Sequence, residues 1–183
     1  KPTDSRYFSH YVETELFGRN ELPNMSEAVK KKINESIFEM FVNAQIHSDT
    51  DFIYTCGQFY PGRDEIIFTI TDTGVGFAKR IEQNLGQKVT STQAIKWAMT
   101  EGHTTKKDTP GGIGLAILKD FITKNKGKIQ IISGDAMYQL DTNGEKYFDL
   151  DSYFDGVIIN MVFKTDDTTS YHLAEEVDLS ELF

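Results

Sequence analysis

The chain has 183 residues, a formal net charge of −9 at pH 7 and a single cysteine. A chain of this length can form one domain that buries roughly 70% of its unfolded surface, so it needs no disulfide or metal ion to fold. The excess of acidic residues argues against a nucleic-acid-binding surface, because such surfaces use clustered Lys and Arg. No apolar run approaches the roughly 20 residues of a membrane span and no signal-like segment opens the chain, so we expect a cytoplasmic protein without a membrane segment. A chain that opens without Met is also compatible with a fragment of a longer protein.

The first part of the chain predicts two helices. Aromatic and apolar residues recur at four-residue spacing over residues 6–17, which favours a short helix packed on the body of the protein. A turn follows at residues 21–26, where Asn24 or Ser26 can cap the N-terminus of a longer helix. The apolar stripe of this long helix consists of Val29, Ile33, Ile37, Met40, Phe41 and Ala44.

A second stripe of the long helix is polar. Glu39, Asn43 and His47 follow one another at four-residue spacing, and Glu35 lies one turn earlier. Residues four apart in a helix share a face, so these side chains form a ladder. The ladder is either a solvated helix face or a carboxylate, an amide and an imidazole aligned along the wall of a cleft.

Residues 52–60 and 65–72 predict two antiparallel strands joined by a hairpin turn. The second strand ends in Asp72, which is followed by Gly74 and Gly76. Glycine adopts positive φ and lets another group approach the backbone, so this arrangement suits a small polar ligand held beside the carboxylate. An ordinary Asp-Thr-Gly turn after a core strand is the alternative. We expect Cys56, in the first strand, to be a small core residue rather than a nucleophile.

Further helices are predicted over residues 78–85 and 92–99, the second with a capping box formed by Thr90 and Gln93. Residues 103–110 are polar and without periodicity. They lead into a glycine-rich start of another long helix, whose unpaired amides and partial positive charge predict an anion site. This helix start consists of Gly111, Gly112, Ile113, Gly114 and Leu115.

The last third of the chain predicts the rest of the sheet. Strands are expected over residues 128–133 and 156–163, with a weaker strand or hairpin over residues 137–148. Residues 166–183 are acidic and polar with no clear core face, so they predict a tail or a partner-bound segment.

Three islands occur in a fixed order: Glu39-x-x-x-Asn43-Ala44-x-x-His47, then Asp72-Thr73-Gly74-Val75-Gly76, then Thr104-Thr105-Lys106 followed by Gly111-Gly112-Ile113-Gly114-Leu115. Together they resemble the N, G1 and G2 boxes of the GHKL superfamily, which comprises gyrase, the heat-shock chaperone ATPase, histidine kinases and MutL. The resemblance covers about residues 26–163 and is closest to the histidine-kinase-like branch.

This resemblance implies an α/β (α+β) fold of the Bergerat type, a two-layer sandwich with a mixed, mostly antiparallel sheet and helices on one face. On this basis we divide the chain into an N-terminal helical extension (1–25), a histidine-kinase-like ATP-binding domain (26–165) and an acidic C-terminal tail (166–183).

The resemblance also implies roles for individual residues. Asp72 would accept a hydrogen bond from the amino group of adenine, Asn43 would ligate Mg²⁺ on the phosphates of ATP, and Glu39 would be the general base. Gly74 and Gly76 would shape the adenine pocket, and residues 87–110 would form a lid. The residues expected near the phosphates are His47, Thr104, Thr105, Lys106, Gly111, Gly112, Ile113, Gly114 and Leu115.

The chain lacks the His-Glu/Asp-x-x-x-Pro pattern of a phosphoacceptor helix, so an acceptor would lie elsewhere. One interpretation is an ATPase or protein kinase that transfers the γ-phosphoryl group to a protein partner or to water. The alternative is an ATP-gated conformational switch with slow hydrolysis, which controls a partner or a dimer. A binding module without a nucleotide is a third interpretation, and homodimer formation is left open.

Overall fold

The computed structural model describes residues 5–100 and 113–176. In chain order the elements are α1 (Ser5–Val12), which continues as a π-helical segment (Glu13–Phe17), α2 (Glu27–His47), β1 (Ile53–Tyr60), a 3₁₀ turn (Pro61–Arg63), β2 (Glu65–Asp72), α3 (Gly76–Leu85), α4 (Ser91–Met99), α5 (Ile113–Lys124), β3 (Lys128–Asp141) and β4 (Gly144–Lys164). Among the helices in these ranges, none is both long and apolar enough to cross a bilayer.

The four strands form one sheet in the order β1-β2-β4-β3, and neighbouring strands are antiparallel throughout. In β2, Ile66, Phe68 and Ile70 are buried, whereas the residues between them are partly exposed. One face of the sheet therefore meets the helices and the other is open, as in antiparallel sheets with a single covered face. The predicted two-layer α/β sandwich is confirmed, with an antiparallel rather than a mixed sheet.

Local sequence signals fix the helix ends. The Ser26 hydroxyl accepts a hydrogen bond from the Val29 N–H at 3.2 Å, and this caps α2. Thr90 and Gln93 form the expected capping box at the start of α4. Such caps satisfy amides that have no partner inside the helix, which is why short sequence patterns identify them.

The N-terminal helix is part of the same hydrophobic core as the rest of the chain. Phe8 of α1 stacks on Phe41 of α2, with ring centroids 4.0 Å apart and planes at 8°. Val12 and Leu16 are also buried. The extension predicted at residues 1–25 therefore contributes side chains to the sandwich.

β3 and β4 are longer than predicted, because the weak strand signal over residues 137–148 is the continuation of both strands into one hairpin. Gly134 lies at a shift in their register. Beyond this shift the hairpin contacts the helices: Thr92 donates a hydrogen bond to Asp149 at 2.9 Å, and Lys119 pairs with Glu145 at 2.8 Å.

Cys56 is exposed, so the expectation of a core residue is wrong. The reason is its position in the sheet. Cys56 pairs with Thr69 on β2, whose side chain is on the open face, and β1 is an edge strand. The apolar neighbours of Cys56 in the sequence gave no information about which face it occupies.

The segment from residue 166 onwards does have a core contact, and the expectation of none is wrong at Tyr171. Tyr171 is 8% exposed, and its ring meets the ring of Phe121 edge to face at 4.9 Å. Its N–H donates to the Asn24 carbonyl at 2.8 Å, and its carbonyl accepts from the Ser26 N–H at 2.9 Å. One buried aromatic residue thus fastens an otherwise polar segment beside the start of α2.

A second contact holds this segment from the side of the sheet. Asn125 is fully buried; its Nδ2 donates to the Lys164 carbonyl and to Asp167, both at 3.0 Å. The Tyr171 hydroxyl also donates to Asp167. Burial raises the pKa of Asp167, but hydrogen bonds from Tyr171, Thr169 and Asn125 outweigh it and lower the pKa to about 2.

Tyr171→Ala is expected to lower the free energy of unfolding by about 3 kcal/mol, because it removes a buried aromatic ring. Tyr171→Phe keeps the ring but loses the bond to Asp167, so its cost should be about 1 to 2 kcal/mol. Chemical denaturation measures both, with the exposed Thr168→Ala as control. A Tyr171→Ala variant as stable as the control would show that this contact contributes nothing to the fold.

Candidate functional site

A cavity of about 290 Å³ lies between the helix-facing side of the sheet and the surrounding helices. Ile70, Asp72, Ile131, Val157 and Ile159 form its sheet side. The other walls are helical. α2 contributes Ser36, Glu39, Met40, Asn43, Ala44 and His47, α3 contributes Gly76, Phe77, Arg80 and Ile81, α4 contributes Trp97, Ala98 and Met99, and α5 contributes Leu115, Ala116 and Lys119. Ser48 and Thr100, which follow α2 and α4, also line the cavity.

The polar ladder of α2 lies in the wall of this cavity. Glu39, Asn43 and His47 all line it, whereas Glu35, one turn earlier, is half exposed and pairs with Lys32 at 3.3 Å. The interpretation of the ladder as the wall of a cleft is therefore the correct one for these three residues. A carboxylate, an amide and an imidazole consequently face the same space.

Asp72 lies at the sheet side of the cavity and is 2% exposed. Its Oδ1 accepts a hydrogen bond from the Gly74 N–H at 2.9 Å. Burial raises the pKa of Asp72, while hydrogen bonds from the backbone of Gly74 and Val157 act in the opposite direction. The result is a buried carboxylate whose hydrogen-bond donors, among residues 5–100 and 113–176, come from the backbone.

Gly74 brings the turn after β2 against the end of α2. A Cβ at this position would lie 1.9 Å from the Ser48 carbonyl oxygen, a distance that no side chain can adopt. The next residue, Val75, donates its N–H to the same carbonyl at 2.8 Å. Gly74 therefore permits contact within the chain, and this contact places Asp72 beside the ladder of α2.

Gly76 has φ of +70° and lines the cavity at the start of α3. Ser133, 2% exposed, supports this turn: its hydroxyl accepts from the Phe77 N–H at 3.0 Å and donates to the Gly156 carbonyl at 2.9 Å. Gly156 has φ of +108°, and a Cβ there would lie 2.1 Å from the Asp72 carbonyl oxygen. Both glycines are thus required by the backbone around Asp72.

Arg80 joins α3 to the C-terminus of α2. Its Nε donates to the His47 carbonyl at 2.6 Å, and its guanidinium pairs with Asp49 at 2.8 Å. The last carbonyls of a helix have no partner inside the helix and carry partial negative charge, so a cation is favourable here. Arg80 consequently fixes the end of α2 next to Asn43 and His47.

α4 and α5 also line the cavity. Leu115 and Lys119 line it from α5, and Trp97 and Met99 line it from α4. Lys119 is also paired with Glu145. Ile113 and Gly114 begin α5, and the predicted phosphate-site residues Thr104, Thr105, Lys106, Gly111 and Gly112 lie outside the described residues.

Sequence reasoning missed several residues of this site. Arg80 lies four residues after Gly76, and Lys119 four after Leu115, so helical periodicity could have pointed to both. Trp97, the only tryptophan, could have been noted as the largest apolar side chain of α4. Nothing local marks Ser133, because its role depends on two turns that are distant in the sequence.

Neither the protein-family models nor the curated proteins with which the chain was compared give a match.

Asp72→Asn is expected to raise the melting temperature at pH 7. Because burial raises the folded-state pKa of Asp72 above its ordinary value of 3.8, ionising this carboxyl costs stability as the pH rises through that interval. The amide keeps an oxygen for the Gly74 N–H and removes the buried charge. Thermal melts of the parent and the variant from pH 3 to pH 8 measure the effect.

The stabilisation by Asp72→Asn should disappear below about pH 3.8, where the carboxyl is protonated in both states. Asp166→Asn is the control, since Asp166 is exposed and is distant from Asp72 in the sequence. A variant that is less stable than the parent at every pH would mean that the charge of Asp72 is favourably compensated in the fold.

Proposed function

We propose that the cavity binds Mg·ATP and that the chain transfers the γ-phosphoryl group to a protein partner or to water. The observation that carries the proposal is the meeting of the three sequence islands: Glu39 and Asn43, Asp72, and Leu115 at the start of α5 all line the same cavity. These segments, far apart in the sequence, bring a carboxylate, an amide and the start of a helix to one largely apolar cavity, which is the composition typical of a small-molecule site. The GHKL resemblance gives the same assignment.

The chemistry of the cavity fits adenine. A carboxylate is an acceptor only, so Asp72 suits an exocyclic amine such as the N6 amino group. The apolar side chains of Ile70, Ile131 and Trp97 suit the faces of a flat ring, and pockets with apolar walls and few polar groups are typical of small-molecule sites. Guanine would present a carbonyl where adenine presents its amine, and the carboxylate would repel it.

The polar residues of α2 and the start of α5, which also line the cavity, fit phosphates and a hard cation. Mg²⁺ keeps several waters and usually takes one or two protein ligands in addition to substrate phosphates, so the Asn43 amide oxygen is a sufficient protein contribution. Within residues 5–100 and 113–176, no group of three His, Cys, Asp or Glu side chains forms a separate metal cage. When bound, the cation would neutralise phosphate charge, and the N-terminus of α5 would add favourable partial charge.

Glu39 is the residue to which we assign the chemical step. It lies one helical turn before Asn43 on the same face of α2 and lines the same cavity. A carboxylate in this position would orient a water molecule or an acceptor hydroxyl and take its proton as the bond to phosphorus forms. Such positioning is the main protein contribution in phosphoryl transfer.

Incubation with γ-labelled ATP, with and without candidate protein partners, tests the proposed reaction. Label in a protein would support a kinase, and label released as phosphate would support an ATPase. Tight ATP binding without turnover would support the ATP-gated switch instead. Absence of both binding and turnover would overturn the nucleotide proposal.

Asp72→Ala is expected to weaken ATP binding by about ten- to a hundredfold, because a hydrogen bond to a charged acceptor contributes about 1.5 to 3 kcal/mol. The parent should also bind GTP more weakly than ATP. Isothermal titration calorimetry with both nucleotides and Mg²⁺ measures both. Equal affinity of the parent and the variant for ATP would exclude the adenine contact.

Glu39→Gln is expected to lower turnover by about 10² to 10⁴-fold while ATP affinity changes only a few fold, since general-base catalysis acts on the chemical step. Glu35→Gln is the matched control, because Glu35 lies on the same helix outside the cavity. Steady-state rates, ATP affinity and melting temperature should be measured on both variants. Unchanged turnover in Glu39→Gln from an active parent would remove the catalytic role.

A further inference from the structure

β1 is an edge strand with an unprotected outer edge. It pairs with β2 from Ile53 to Tyr60 without a bulge, and in the part of the chain that the structure describes no strand pairs with its other side. Natural edge strands are usually blunted by Lys, Pro, charge or a bulge, and β1 itself contains none of these. At the opposite edge of the sheet, β3 starts with Lys128 and has a register shift at Gly134.

Large aromatic side chains are exposed along this edge. Phe52 is 64% exposed and Tyr54 is 54% exposed, and their rings lie 6.4 Å apart. On the helical side, Tyr11 of α1 reaches Gly57, where a Cβ would lie 3.9 Å from its hydroxyl oxygen, and Tyr7 of the same helix is 73% exposed. Contiguous exposed apolar side chains are a mark of interaction surfaces.

We infer that β1 pairs with β1 of a second copy of this chain, antiparallel about a two-fold axis at Gly57, so that two four-stranded sheets become one. The sequence around Gly57 is self-complementary in this register. Tyr54 faces Tyr60 of the other copy and Cys56 faces Gln58, all on the open face of the sheet. Cross-strand aromatic pairs of this type stabilise antiparallel sheets.

Charge complementarity supports the same register. Asp51 precedes β1 and Arg63 follows it, so pairing about Gly57 brings the Asp51 end of each copy to the Arg63 end of the other. Arg63 lies over the ring of Tyr60 at 5.4 Å, beside the place that Tyr54 of the other copy would take. A register centred on Gln58 would lose the pair of Tyr54 with Tyr60, because Tyr60 would then face Cys56 of the other copy.

Sedimentation equilibrium under reducing conditions tests whether two copies of the parent chain associate. The parent should show a monomer–dimer equilibrium, and Tyr54→Lys should raise the dissociation constant about tenfold or more, because symmetry places the added charge in the interface twice. Tyr153→Lys is the matched control, since Tyr153 is 62% exposed on β4. A parent that is monomeric up to millimolar concentration, or a dimer that Tyr54→Lys and Tyr153→Lys weaken equally, would overturn the inference.

Disulfide cross-linking tests the register independently of the charge variants. Gln58→Cys would place a thiol directly opposite Cys56 of the second copy, where the two Cβ atoms are nearest neighbours across the strands, so oxidation should convert this variant to a covalent dimer with Cys56 linked to position 58. The parent, whose only cysteine is Cys56, should cross-link far more slowly because its two thiols are diagonal neighbours. Fast cross-linking of the parent with no gain from Gln58→Cys would overturn the register centred on Gly57.

Discussion

The contact between the turn after β2 and the end of α2 is the constraint on which the cavity depends. Val75 donates its N–H to the Ser48 carbonyl at 2.8 Å, and only glycine fits at position 74 against the same oxygen. This contact joins the strand that carries Asp72 to the helix that carries Asn43 and His47. Arg80 strengthens it from α3 by donating to the His47 carbonyl. Without the contact between Val75 and Ser48, Asp72 and the polar residues of α2 would not line the same cavity.

Close to this contact, a carboxylate is buried at the sheet side of the cavity. Asp72 accepts hydrogen bonds from the backbone N–H groups of Gly74 and Val157, and burial raises its pKa in spite of them. A residue that costs stability and faces a cavity is typical of a site kept for binding rather than for folding. Ser133 and Gly156 support the same region: Ser133 donates to the Gly156 carbonyl, and the backbone of Gly156 packs closely against the Asp72 carbonyl.

The features that could be predicted from the sequence are those that depend on interactions between residues close together in the chain. The Ser26 cap, the Thr90–Gln93 capping box and the polar ladder of α2 each depend on residues within one or two helical turns, so their spacing was sufficient. The errors arose where distant parts of the chain decide the environment. Cys56 has apolar neighbours in the sequence but lies on the open face of an edge strand. Tyr171 has polar neighbours in the sequence, but its ring packs against Phe121. Ser133 was missed for the same reason, since its two partners come from other elements.

A crystal structure of the chain with Mg·ADP tests the central claim most directly, because it locates the base. The account predicts the adenine ring in the cavity of α2, α3, α4 and α5, with its exocyclic amine within hydrogen-bond distance of the Asp72 carboxylate and its phosphates towards Asn43 and the start of α5. A nucleotide bound elsewhere on the chain, or bound in the cavity with no polar contact between the base and Asp72, would contradict it.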